Sequence, residues 1–232
     1  MTGATQQPAR IAGAAIYSSW VLFFYDIWVL LLSNSLAWKC STSRVLLPLF
    51  QSSIGEKHLD IGVGTGYFPA KALQANTKCK RITLIDLNPT TLSVAKQRIA
   101  KLQSESPQVH TVIADATKPL PLSSSEKFDS ISLFYLLHCM PGPPERKTRV
   151  FDSVREHLAE DGVLVGATIL GISRPMNFFA AALMWLYNRN GIFDNWEDNE
   201  EDFTEGLRKN FDDVKVWGLG RTMLFIARQP KQ

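Results

Sequence analysis

From Gly55 onward the chain alternates short, nearly unbroken apolar runs with longer stretches whose apolar positions recur at helical spacing. Residues 57–61 read as a short strand running into a glycine loop, with a helix over 68–75 behind it. RITLID at 81–86 reads as a buried strand, and Asn88 with Pro89 as the cap and first turn of a helix reaching about residue 101. Residues 109–114 and 128–134 give a third and a fourth strand, 145–159 an amphipathic helix, and 162–169 a fifth apolar strand. Strands this apolar, separated by helical segments, imply a parallel sheet covered by helices on both faces.

The pattern changes at both ends. The strand-like runs at 214–217 and 223–227 are joined by only a few residues around GLGR, too short for a helical crossover, and predict an antiparallel hairpin at one sheet edge. At the other end, WVLFFYDIWVLLL at 20–32 is apolar on nearly every helical face, so it is buried in protein or in lipid. Its thirteen residues would extend about 20 Å as a helix against a hydrocarbon layer of roughly 30 Å, with Asp26 at the centre. A lid over a binding site is therefore favoured over a membrane span, while a shallow interfacial contact stays open. A further helical stretch covers 41–51, and a second apolar run, MNFFAAALMWLY, lies in an insertion at 174–195. The expected fold class is α/β: a doubly wound, mostly parallel sheet of seven strands, Rossmann-like, with a C-terminal antiparallel hairpin and an N-terminal helical lid.

Size confines this to one domain, since 232 residues at 45% hydrophobic content support one sizeable core and not two comfortable ones. Within it, residues 1–52 are read as the lid and acceptor segment and 53–232 as the core. The 25 basic and 22 acidic residues leave a net charge of +3 without a basic stripe, so nothing asks for nucleic acid. Cys40, Cys79 and Cys139 are an odd count without C-x-x-C spacing, which suggests neither a disulfide framework nor a metal site. The polar first ten residues lack the features of a secretory signal, and a cytoplasmic location fits.

The most informative segment is HLDIGVGTGYF at 58–68. A strand that ends in glycines before a helix lets backbone approach a ligand closely and presents free N–H groups at the helix start. Gly62, Gly64 and Gly66 depart from the dinucleotide fingerprint, whose third glycine would fall at Tyr67. Asp86 ends the second strand twenty residues past Gly66, where a carboxylate can accept both hydroxyls of a ribose. Alternatives remain: the glycines as a tight turn, Asp86 as a cap, Asp115 as a turn aspartate, Phe134 and Tyr135 as core.

With LDIGVGTG, LIDLN, the ADA at 114–116, FDSISLFYLLHCMP and LAEDGVLVGATIL in this order, the chain resembles the class I S-adenosylmethionine (SAM)-dependent methyltransferases from 53 to about 170. The segments VLLLSNSLAWKCSTSRVL and NRNGIF look like a small-molecule branch of that family. The resemblance implies that Asp60, Gly62, Gly64 and Gly66 surround the methionine part of SAM and that Asp86 holds the ribose. It also implies that Leu87 and Asn88 flank the sugar and adenine, Asp115 and Ala116 meet the adenine edge, and Phe134 and Tyr135 lie near the sulfonium. FYLLHCMP stands where nucleic-acid amino-methylating members carry an Asn-Pro-Pro-Tyr type run, which lowers that option.

The expected activity is methyl transfer to a small, largely apolar acceptor, with oxygen first on family priors and secondary metabolism as the setting. Such a transfer needs placement and exclusion of water more than catalytic groups. Where a base is needed, His138 is the candidate because it follows the fourth strand on the ligand side of the sheet; a structural histidine is the alternative. His58 and His157 are read as structural. Tyr25 and Asp26, inside the first apolar run, are candidates for acceptor or lid contacts, or else a local hydrogen-bond anchor. Two other functions compete: a rearrangement or cyclisation on the same cofactor, and a non-catalytic binding module, which the intact Asp60, glycine and Asp86 set argues against.

Overall fold

The five apolar runs become the parallel strands β1 (Lys57–Ile61), β2 (Arg81–Asp86), β3 (Gln108–Ile113), β4 (Phe128–Phe134) and β5 (Leu158–Ile169) in a computed structural model that describes residues 33–75, 78–102 and 107–232. The hairpin forms as expected from β6 (Phe211–Leu219) and β7 (Thr222–Pro230). The sheet order is β3-β2-β1-β4-β5-β7-β6, with β7 antiparallel to both of its neighbours. The chain steps outward from β1 to β3 and then returns to the other side of β1 with β4. That reversal between β1 and β4 opens a crevice at the carboxyl ends of the two strands, which is where ligands bind in open sheets of this kind.

Alternation along the strands splits the interior in two. On β2, Leu84 joins one core and Ile85 the other; on β5, Val165 and Leu164 divide in the same way. One core takes Phe50 from α1 (Leu47–Ser53), Phe68 and Leu73 from α2 (Tyr67–Ala75), and Leu92 and Ile99 from α3 (Pro89–Ala100). The other takes Phe151 and Val154 from α4 (Arg149–His157). A third, smaller core joins Ala37 and Trp38 to Leu183, Met184 and Tyr187 of α5 (Phe178–Arg189), the helix formed by the insertion, beside Ile169 at the end of β5. The opposite face of α5 is exposed, Phe178 to 90%.

Two local expectations change. The helix expected over 145–159 is interrupted: a short turn, Pro144–Lys147, precedes α4, and β5 already begins at Leu158. Leu158 pairs with Phe128, and the AEDG that follows bulges out before pairing resumes at Ser130 with Val163, so ladder bonds override the turn-like composition. An additional helix, α6 (Glu200–Asn210), buries only Phe203, Leu207 and Asn210. Its signals are at its ends. Asn199 accepts the Asp202 N–H at 2.9 Å, acidic residues fill the first turn, and Arg208 and Lys209 fill the last.

The apolar run at 20–32, with Tyr25 and Asp26, lies outside the described residues. Among the described residues, no helix is long and apolar enough to cross a membrane, and no group of His, Cys, Asp and Glu is arranged to hold a metal ion.

Candidate active site at the carboxyl ends of the first, second and fourth strands

The three glycines after β1 all adopt positive φ: +75° at Gly62, +55° at Gly64 and +72° at Gly66. Their surroundings separate their roles. A Cβ at Gly62 would stand 2.7 Å from Leu136 Cδ1, and one at Gly66 would stand 2.8 Å from Ala95 Cα, so these two admit close packing of the loop after β4 and of α3. A Cβ at Gly64 would meet no described atom within 4 Å. Gly64 therefore borders the open space of the crevice, which a side chain there would begin to fill.

Asp86 closes this space from β2. Its Oδ2 accepts the Gly64 N–H at 3.2 Å and its Oδ1 the Asn88 N–H at 2.9 Å. Burial pushes the Asp86 carboxyl above its ordinary pKa, against the backbone N–H groups that hold it down. Asn88 is buried and caps α3, accepting the Thr90 N–H at 2.9 Å, whereas Leu87 is 49% exposed beside it.

Asp60 lies within the crevice wall, buried on β1. Burial raises its pKa to about 7; the Asp86 charge adds to the rise, and a hydrogen bond from Ser132 opposes it. Ser132 Oγ is 2.5 Å from Asp60 Oδ1 and 3.0 Å from His58 Nε2, and His58 Nδ1 is 2.7 Å from Ser130 Oγ. These four polar side chains share one face of adjacent strands, because β1 and β4 are registered with His58 beside Ser130 and Asp60 beside Ser132. Ser130 and Ser132 do not stand out as site residues from local sequence alone. Their signal is the pair of alternate serines in FDSISLF, a strand buried everywhere except at Asp129, where buried polar side chains must find partners.

Asp115 and Ala116 follow β3. Partial burial alone would raise the Asp115 pKa, but hydrogen bonds from the Thr117 N–H and Oγ1, at 2.9 and 2.7 Å, with Lys118 and Arg146 nearby, hold it below the ordinary value. Ala116 is buried in the core beneath β3 and β4.

After β4 two aromatic residues diverge. Phe134 points into the core, its ring centroid 5.2 Å from Phe50 and 5.0 Å from Phe68. Tyr135 takes a left-handed backbone (φ +61°), a conformation costly for a bulky residue, and its side chain packs between that core and the third one. Its hydroxyl donates to Asn34 Oδ1 at 2.9 Å, tying the loop after β4 to the segment before α1. His138 is buried in a 3₁₀ turn. Its Nδ1 accepts the Ile169 N–H at 3.3 Å, so the ring proton is on Nε2. Burial, followed by the charge of Lys147, lowers the His138 pKa to about 3. Lys147 is itself sealed in an ion pair with Asp198 at 2.6 Å.

Asp60, Gly64, Asp86 and Asn88 are thus brought together around one crevice. Tyr135 and His138 stand at the ends of β4 and β5, next to the third core, and Asp115 with Leu87 lies on the more exposed side. A methyltransferase-domain family model matches residues 59–164. An O-methyltransferase of Aspergillus niger is 54% identical over 181 residues, covering 77% of this chain and 93% of that relative. A physcion biosynthesis cluster O-methyltransferase of Aspergillus chevalieri is 45% identical, covering 94% of this chain and 96% of the relative. The chain belongs to the class I SAM-dependent methyltransferases. Its fold also matches the N-methyltransferase NodS of Bradyrhizobium japonicum WM9, solved with S-adenosyl-L-homocysteine, with a TM-score of 0.56 at 20% identity over 80% of this chain and 85% of that one.

The crevice of this methyltransferase suits SAM on its own geometry. Gly64 leaves space at the backbone, and Asp86 offers a carboxylate already aimed by two main-chain N–H groups. Asp60 is a second buried acid, suited to a cationic ligand group.

Proposed function

We propose that this methyltransferase places the methyl group of SAM on an oxygen of a small, largely apolar acceptor, in secondary metabolism. Two relatives, covered over nearly their whole length, are named O-methyltransferases, one of them from a biosynthesis cluster. The observation that carries the cofactor half of the reading is Gly64, whose missing side chain leaves open space next to the Asp86 carboxylate.

In this reading Asp60, Gly62, Gly64 and Gly66 surround the methionine part of the cofactor and Asp86 takes the ribose hydroxyls. Leu87 and Asn88 flank the sugar and adenine, Asp115 and Ala116 meet the adenine edge, and Phe134 and Tyr135 wall the sulfonium side. Bound SAM supplies a methyl group on a leaving group that is already activated, so the protein's task is placement and the exclusion of water. In this reading the acceptor wall is the apolar cluster of Trp38, Ile169 and α5. His138, its one ring proton on Nε2, offers the acceptor a hydrogen bond and not a site for its proton.

The test is incubation with methyl-labelled SAM and a panel of hydroxylated, aminated and thiol-bearing aromatic and aliphatic compounds. A mass gain of one methyl group on the hydroxylated members is expected. Transfer only to amines or thiols, or a product of unchanged mass, would overturn the reading.

A further inference from the structure

We propose that His58 is a positioning residue that acts through Ser132 to aim a hydrogen bond at Asp60 and so keep that carboxyl ionised for the cofactor. This rests on the reading that Asp60 holds part of SAM.

The geometry makes a one-way chain across β1 and β4. Ser130 Oγ accepts the Gly55 N–H at 2.8 Å, so its own proton is available to His58 Nδ1 at 2.7 Å. With Nδ1 accepting, the ring proton is on Nε2 and points to Ser132 Oγ at 3.0 Å. Ser132 then has one proton to give and two acceptors in reach: Asp60 Oδ1 at 2.5 Å and the Leu59 carbonyl at 3.5 Å. By occupying a lone pair of Ser132, the Nε2–H directs that proton toward Asp60. Each hydroxyl donates once and accepts at least once, and neither ring nitrogen is left unpaired.

Burial keeps His58 neutral, its pKa lowered to about 3 although the Ser130 main chain pulls it upward, so the ring works through its tautomer and not through charge. The groups bearing on the chain are few. Asp86 from β2 opposes ionisation of Asp60, Phe50 from α1 packs edge-on against the His58 ring, and Cys79 lies against the His58 main chain. The Cys79 thiol is neutral, pushed by burial to about 11, which leaves the Ser132 hydrogen bond to counter burial and Asp86. Protonating Asp60 would reverse the order: Asp60 would donate to Ser132, Ser132 to Nε2, and the ring proton would move to Nδ1.

Nuclear magnetic resonance on the ligand-free protein tests this without SAM. Carbon-13 aspartate labelling follows Asp60 between pH 5 and 9, and nitrogen-15 histidine labelling reads the His58 tautomer. The expected result is an Nε2–H tautomer at pH 8.5, and an Asp60 midpoint about one unit higher in both Ser132→Ala and His58→Phe. SAM binding by calorimetry should then weaken about fivefold at pH 7 and scarcely at pH 9, because only the ionised fraction competes for ligand. An Nδ1–H tautomer at pH 8.5, or an unmoved Asp60 midpoint in Ser132→Ala, would overturn the chain; the wild-type tautomer decides even if His58→Phe does not fold. A loss of affinity equal at both pH values would reduce His58 to packing. If Asp60 titrates as expected but SAM affinity ignores its ionisation, the chain stands and the assignment of Asp60 to the cofactor falls.

Discussion

The Asp86 carboxylate spans the glycine loop and the start of α3, one oxygen on the Gly64 N–H at 3.2 Å and the other on the Asn88 N–H at 2.9 Å. The side chain is therefore oriented before any ligand arrives, and a ribose meets an acceptor that needs little ordering. Asp86→Ala should weaken SAM binding more than tenfold, since hydrogen bonds to a charged acceptor contribute about 1.5–3 kcal/mol each. Calorimetric titration reads the change. Unchanged affinity in a folded variant would remove Asp86 from the site.

The glycines should respond differently to the same added methyl group. Gly64→Ala puts a Cβ into open space and should fold, at a cost of about 1–2 kcal/mol for its left-handed backbone, while losing most SAM affinity. Gly66→Ala sets its Cβ 2.8 Å from the Ala95 backbone in α3 and should unfold at markedly lower temperature. Thermal melting with a binding titration separates the two. A Gly64→Ala protein that binds SAM normally would sink the assignment of that open space.

What the sequence made legible is what local pattern encodes. The strand at 81–86, the Asn88 cap with Pro89 behind it, and the closing hairpin follow from apolar run length, turn chemistry and connection length, and all three stand in the structure. Helix α6 escaped because only Phe203 and Leu207 mark its apolar face and Gly206 interrupts it, a glycine required by the approach of Thr148 to within 2.7 Å of a Cβ there. The Ser132–Asp60 contact depends on the register of β1 against β4, two strands about seventy residues apart in the chain, and no local window contains it. Tyr135 likewise showed its place after β4 but not its left-handed backbone, which comes from tertiary contacts such as the bond to Asn34.

Asp60 should make the ligand-free protein less stable as pH rises. Its folded pKa, about 7, lies above the ordinary 3.8, so its contribution is fully present below the unfolded value and is lost as pH climbs through 7. Asp60→Asn removes that titration while leaving an acceptor for Ser132. Its unfolding free energy relative to wild type, read from denaturant melts, should rise between pH 5 and 8 by an amount on the order of 2–4 kcal/mol at most, while SAM affinity falls. A difference between the two proteins that stays constant with pH would contradict this.

His138, the base that the sequence suggests, is surrounded by groups that lower its basicity. Its Nδ1 accepts the Ile169 N–H, its ring meets Phe193 at 4.4 Å between centroids, and burial followed by the Lys147 charge sets its pKa at about 3. A base this weak is neutral throughout the physiological range and contributes no titration limb near 6.5. The pH dependence of kcat above pH 6 should instead follow ionisation of the acceptor hydroxyl, shifting when a more acidic acceptor is used. His138→Gln keeps a donor and should lower kcat by about tenfold or less, short of the hundredfold or more expected for loss of a general base. A wild-type limb near pH 6.5 that is independent of the acceptor and disappears in His138→Gln would show that the ring takes the proton after all.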